Sequence, residues 1–168
     1  YIPSEQVQEE PRLYTDYSSL TFAEDRIYAV KRGHLTSPVL VAIDSSGREK
    51  TVSRHASETS SLKTDSRGRI WWSENTVDKR WSLKTGAVMR RLDGKKIEKV
   101  GDNAVRYNPV PSPYGYFLSA IRYRINGGSS LEIMDEEGKG IASHAAPDSL
   151  QLVETAWLSE EDIYATAV

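Results

Sequence analysis

A segment of about fourteen residues recurs four times along the chain, and this self-similarity constrains the fold more than any other feature. The copies are Tyr17 to Val30, Ser60 to Ser73, Val105 to Ala120 and Val153 to Ala167. Each joins a short strand-like stretch to a turn and then to a β-favouring run. That run is entered at Ile27, Ile70, Phe117 and Ile163, at intervals of 43, 47 and 46 residues. A second landmark keeps step with the first. Asp44-Ser45-Ser46-Gly47, Asp93-Gly94 and Asp135-Glu136-Glu137-Gly138 each close the third strand of a copy, their aspartates 49 and 42 residues apart. A period of this length, with several short strands per repeat, is the signature of a blade-by-blade β-propeller.

The alternation within the repeats supports the same reading. Ile27, Ala29 and Lys31 fall on one face of a strand, and Tyr28, Val30 and Arg32 on the other. Pro38 to Asp44 is almost continuously apolar, as expected of a strand covered on both faces. Glycines stand in many of the turns, Gly47, Gly68 and Gly115 among them, and Asp93-Gly94 between two β-favouring runs is a strong hairpin signal. Apolar residues rarely recur with helical spacing. The expected architecture is all-β: a propeller segment of four-stranded antiparallel blades, three complete and a fourth partial. An extended arm covers residues 1–16. Blades cover about 17–56, 57–103 and 104–148, with an incomplete one over 149–168.

A single such sheet cannot bury both of its faces, so neighbouring blades must cover them. Tyr28, Trp71, Trp72, Phe117, Trp157 and Tyr164 are expected to fill the layers between blades. Three and a half blades fall short of the usual closed ring. The chain opens without Met, on Tyr1-Ile2-Pro3-Ser4, and reads as a mature form or a piece of a longer protein. More chain or more copies are expected to complete the ring.

Composition narrows the functional classes. The formal net charge is −2, and the basic residues are scattered, which argues against a nucleic-acid partner. No apolar run is long enough to span a bilayer. Cysteine is absent, so disulfides, thiolate nucleophiles and thiolate metal sites are excluded.

The third repeat carries a family likeness. Arg106-Tyr107-Asn108-Pro109-Val110-Pro111-Ser112-Pro113-Tyr114-Gly115-Tyr116-Phe117-Leu118 resembles the repeat of TolB-like propellers, in which a proline precedes a Ser-Pro-Asp-Gly turn and an apolar strand. The same repeat occurs in the propeller domains of prolyl-oligopeptidase-type enzymes. Here Tyr114 stands in place of the usual aspartate, and the other copies are degenerate. The resemblance implies a bacterial envelope protein, periplasmic or extracellular, with the propeller as a non-catalytic module recognising a protein or peptide. The alternative it implies is the gating propeller of a larger serine hydrolase whose catalytic domain lies outside these residues.

No catalytic constellation stands in the sequence, and whether the protein is an enzyme is left open. There is no Gly-x-Ser-x-Gly elbow and no phosphate-cradling loop. Adjacent carboxylates such as Asp135, Glu136 and Glu137 lack the spacing of a calcium loop. No metal and no cofactor are expected. The candidate ligand-binding residues sit in loops that a four-strand plan sends to one end of the propeller: His34, Arg54, His55, Asn103, Arg122 and His144. The histidines read either as solvated loop residues or as ligand contacts. Arg122-Tyr123-Arg124, with Arg54 and Arg106, reads either as exposed strand or as a holder of a carboxylate.

Overall fold

The computed structural model describes residues 15–33, 36–54, 61–77, 84–124 and 127–168. Among these residues every regular element is a β-strand. The first sheet is β1 (Thr15–Ala23), β2 (Arg26–Gly33), β3 (Thr36–Ile43) and β4 (Glu49–Ser53). The second is β5 (Lys63–Thr64), β6 (Ile70–Val77), β7 (Lys84–Asp93) and β8 (Lys96–Val100). The third is β9 (Tyr107–Pro111), β10 (Phe117–Tyr123), β11 (Ser129–Asp135) and β12 (Gly140–Ala145). β13 (Leu152–Trp157) and β14 (Ile163–Ala167) pair as a two-stranded last sheet. Within each sheet the strands neighbour one another in chain order, and all pairing is antiparallel. Three full blades and a partial fourth are thus present, as the repeat pattern predicts.

One local device underlies two of the aspartate landmarks, Asp44 and Asp135, and recurs at Asp65. In Asp44-Ser45-Ser46-Gly47-Arg48 the Asp44 carboxylate accepts the backbone N–H groups of Ser46 and Arg48. Asp135 accepts those of Glu137 and Lys139 in the same way. Asp65 does so for Arg67 and Arg69. In each case the glycine three residues on donates to the aspartate's own carbonyl. A side-chain carboxylate thereby satisfies turn amides that the strands leave unpaired. In the third sheet Ser112 performs the same task, its hydroxyl accepting the Phe117 N–H.

Period-two alternation then builds the layers between sheets. Trp71 and Trp72 are adjacent, 1 % and 0 % exposed, and point to opposite faces of β6. Trp72 joins Tyr28, Leu40, Ala42 and Ile70 between the first and second sheets. Trp71 joins Met89, Leu118, Ala120 and Met134 between the second and third. Ile121, Leu131 and Leu152 close the layer between the third and last, and Phe117 stacks on Trp157 at 6.3 Å. The second and third sheets also touch through backbone. Gly101 donates to the Glu137 carbonyl at 3.0 Å, and a side chain on Gly138 would sit 2.5 Å from the Gly101 backbone.

The structure corrects one expected packing residue. Tyr164 is 64 % exposed and fills no layer. It pairs with Ala156, whereas Trp157 and Thr155, the residues that reach Val110 and Ser119 of the third sheet, pair with Ile163 and Ala165. Tyr164 therefore lies on the opposite face of the last sheet. The first strand of the second repeat is short, Lys63–Thr64, and the Asp65 turn begins immediately after it.

Candidate recognition face

In each up-and-down sheet, connections emerge alternately at two ends. The tight turns after β1, β3, β5, β7, β9, β11 and β13 leave one end, here the turn end. The β2–β3 and β10–β11 connections, and the segments joining sheets, leave the other, the loop end. Turns of adjacent sheets meet directly: Ser66 donates to the Pro113 carbonyl at 3.3 Å.

The loop end carries a cluster of four charges between the second and third sheets. Arg106 is buried and bonds both Glu132 and Asp102. Glu132, also buried, accepts Arg122 on its other oxygen at 3.3 Å. The Arg122 side chain stays 49 % exposed. The Arg106 contact, then the Ala104 amide, hold the Asp102 carboxyl below its ordinary value of 3.8. A groove of about 280 Å³ runs along β11 and β12 up to Arg106, Glu132 and Ser143.

A second hollow, about 350 Å³, lies between the β10–β11 loop and the segment after β12. Arg124, Ser129, Asp148 and Gln151 line it, together with loop backbone. Its walls are tied down. The Arg124 N–H bonds the Gly128 carbonyl at 2.7 Å, the Gln151 side chain bonds the Gly127 carbonyl at 3.1 Å, and the Ser129 hydroxyl accepts the Leu152 N–H at 2.8 Å. Tyr123 bonds the Leu152 carbonyl and packs on Tyr107 with ring centroids 5.5 Å apart. Burial, then the neighbouring Tyr107, raise the Tyr123 hydroxyl above its ordinary value of 10.0. Exposed Arg32 and Arg54 stand at the same end on the first sheet.

The sequence-derived candidates divide accordingly. Asn103 follows Asp102 and accepts a hydrogen bond from Lys99, beside the Arg106 cluster. Arg122 is in the cluster itself. Arg54 is exposed but belongs to the first sheet, with the whole second sheet between it and Arg122. His144 pairs with Leu131, and Ser143 with Glu132, so His144 and Glu132 lie on opposite faces of the third sheet. His34 and His55 lie outside the described residues. Glu132 and Asp102 are not singled out by the sequence, whereas Arg124, which lines the second hollow, reads there with Arg122, Arg54 and Arg106 as a holder of a carboxylate. Among the described residues no three His, Asp or Glu side chains are grouped to hold a metal ion, and no helix is long and apolar enough to cross a membrane.

Comparison with known proteins supports the fold. No protein-family profile matches the chain, and no curated protein matches it. Solved structures do. The β-propeller domain of the trilobed protease from Pyrococcus furiosus superposes with a TM-score of 0.60 at 10 % identity, over 83 % of this chain and 45 % of that one. TolB from Acinetobacter baumannii gives 0.57 at 12 %, over 76 % of this chain and 31 % of that one. A prolyl endopeptidase gives 0.62 at 12 %, over 91 % of this chain and 25 % of that one. The chain is an all-β propeller segment, similar in fold to TolB and to protease-associated propellers. It spans less than half the length of each of these three structures.

Proposed function

We propose that this propeller segment is a non-catalytic recognition module that holds a protein or peptide by a carboxylate-bearing segment at its loop end. The observation that carries the reading is the half-exposed side chain of Arg122, which donates through Nη1 to buried Glu132. A guanidinium matches a carboxylate with two parallel donors. The neighbouring hollow with Arg124 supplies room for the backbone that carries the carboxylate. Likeness in fold to TolB supports a periplasmic or extracellular setting as part of the same proposal.

The test is titration of the protein with an N-acetylated hexaglutamate peptide, followed by calorimetry at low salt. Binding weakens about tenfold in Arg122→Ala, the loss expected for a charge-assisted hydrogen bond. It weakens further in Arg122→Ala/Arg124→Ala, with an unchanged β-sheet circular dichroism spectrum. Equal affinity for wild type and the double variant, or no binding to either, overturns the proposal.

A further inference from the structure

The third sheet ends at its outer rim on a strand edge that the loop-end reading leaves unused. β4, β8 and β12 are the outer strands of the three complete sheets. β4 carries Glu49 and Lys50, and β8 carries Lys96, Glu98 and Lys99. Charges of this kind keep an exposed edge from pairing with foreign chain. β12 reads Gly-Ile-Ala-Ser-His-Ala and holds no Asp, Glu, Lys, Arg or Pro. Among the described residues it pairs with β11 alone, and Ile141 is 57 % exposed.

The register shows which groups are open. Ala146 donates to the Ser129 carbonyl at 2.9 Å, so these two residues face each other as a hydrogen-bonded pair. Such pairs alternate along an antiparallel ladder. His144 opposite Leu131 and Ala142 opposite Ile133 are therefore of the same kind and bond toward β11. Ser143 and Ala145, which alternate with them, turn their N–H and C=O groups outward. Among the described residues nothing bonds to these groups. A row of open main-chain donors and acceptors is a template for one more strand.

Both ends of β12 open on hollows of the loop-end face. Gly140 to Ser143 line the groove of about 280 Å³, and Ala145 lines the hollow of about 350 Å³ that also holds Arg124. An extended segment laid along the edge runs from one to the other. Charge decides which kind of segment fits. Arg124 is exposed, and among the described residues no carboxylate pairs with it. Arg122, two residues earlier, is half exposed. Asp148 is the one acidic residue among those lining the hollow.

We propose that β12 takes an extended segment of a partner protein as a fifth strand of the third sheet, with an acidic residue of that segment at Arg124. The carboxylate part rests on the loop-end reading; the added strand gives the conformation in which the segment is held. Main-chain bonds supply affinity, and alternate side chains of the segment supply choice.

The probe is N-acetylated, amidated Val-Glu-Val-Glu-Val-Glu, titrated by calorimetry at low salt. Two N-methylated versions keep every side chain and differ only in which alternate amides lose their hydrogen. Methylation of the set that faces β12 weakens binding about tenfold or more, as the loss of main-chain hydrogen bonds predicts. Methylation of the other set leaves affinity unchanged. Ser143→Pro removes an outward N–H and no bond of the sheet's own ladder, and gives a similar loss with an unchanged thermal midpoint. Strand addition is overturned if both methylated peptides bind like the parent, if Ser143→Pro binds it as wild type does, or if the parent peptide does not bind; the Arg122 dependence of hexaglutamate binding is judged separately. Binding that is sensitive to methylation but equal in Arg122→Ala/Arg124→Ala overturns the carboxylate part instead. Self-association of the free protein that Ser143→Pro abolishes assigns the edge to a second copy and overturns the proposal.

Discussion

Asp65 accepts two backbone amides, the Arg69 Nε at 2.7 Å and the Trp71 indole N–H at 3.1 Å, all while buried. Arg69, 7 % exposed at its side chain, spends its remaining donors on Glu136 and the Gly115 carbonyl. The pair is fully satisfied, which is the condition for a buried charge to be tolerated. Removing one partner strands the other. Asp65→Ala is therefore expected to lower unfolding stability by about 3–5 kcal/mol, measured as the urea midpoint. A loss under about 1 kcal/mol, the size of an exposed pair, contradicts the assignment. Gly138→Ala makes the complementary point for backbone. Its φ is 81°, a conformation costing an L residue about 1–3 kcal/mol, and the added carbon meets Gly101 backbone that cannot rotate away. Thermal unfolding of this variant is expected well below wild type; an unchanged midpoint means the two sheets do not meet there.

At the scale of elements, the ion network ties the β5–β6 turn to the turn after β11, and its stability follows pH. Hydrogen bonding from Arg69 is the largest cause holding the Glu136 carboxyl below its ordinary 4.5. The unfolded chain then binds the proton more readily than the folded one. The stabilisation is complete above the ordinary value and fades as pH falls through the lowered folded value. Urea midpoints measured from pH 7 to 3 are expected to fall, with a shallower slope in Glu136→Gln; parallel slopes contradict the role given to Glu136. Strand order and faces were readable from alternation, since Tyr28 against Ile27 and Trp71 against Trp72 differ only in parity. The importance of Asp65 was not. Asp44 and Arg48 form the same turn with the same ion pair, yet the Arg48 side chain is 83 % exposed. Only the turn's position, inside the stack or at its rim, separates cement from solvated surface. The candidate face was half legible for a similar reason. Loop positions put Arg122 and Asn103 at one end, but Glu132, which orients Arg122, lies 10 residues along a neighbouring strand, and strand parity sends His144 to the other face.

For the whole molecule, each sheet layer is covered except at the two ends of the stack. Leu20, Phe22 and Ile27 on the first sheet are 62 %, 63 % and 43 % exposed, and Tyr164 and Val168 on the last are 64 % and 78 % exposed. Open apolar faces beside an unpaired strand edge promote association. The 168-residue chain is expected to self-associate with rising concentration in sedimentation velocity, and Phe22→Lys/Tyr164→Lys to suppress it with the fold intact. Association that persists in this variant places the contact elsewhere.

The recognition account rests on the two ends of the propeller having different chemistry. Backbone hydrogen exchange, with and without saturating hexaglutamate peptide, reads this directly. Slowed exchange over residues 102–106, 122–124 and 148–152, with no change over 113–116 and 136–138, is the predicted footprint. Protection spread evenly over both ends, or confined to the turn end, contradicts the account.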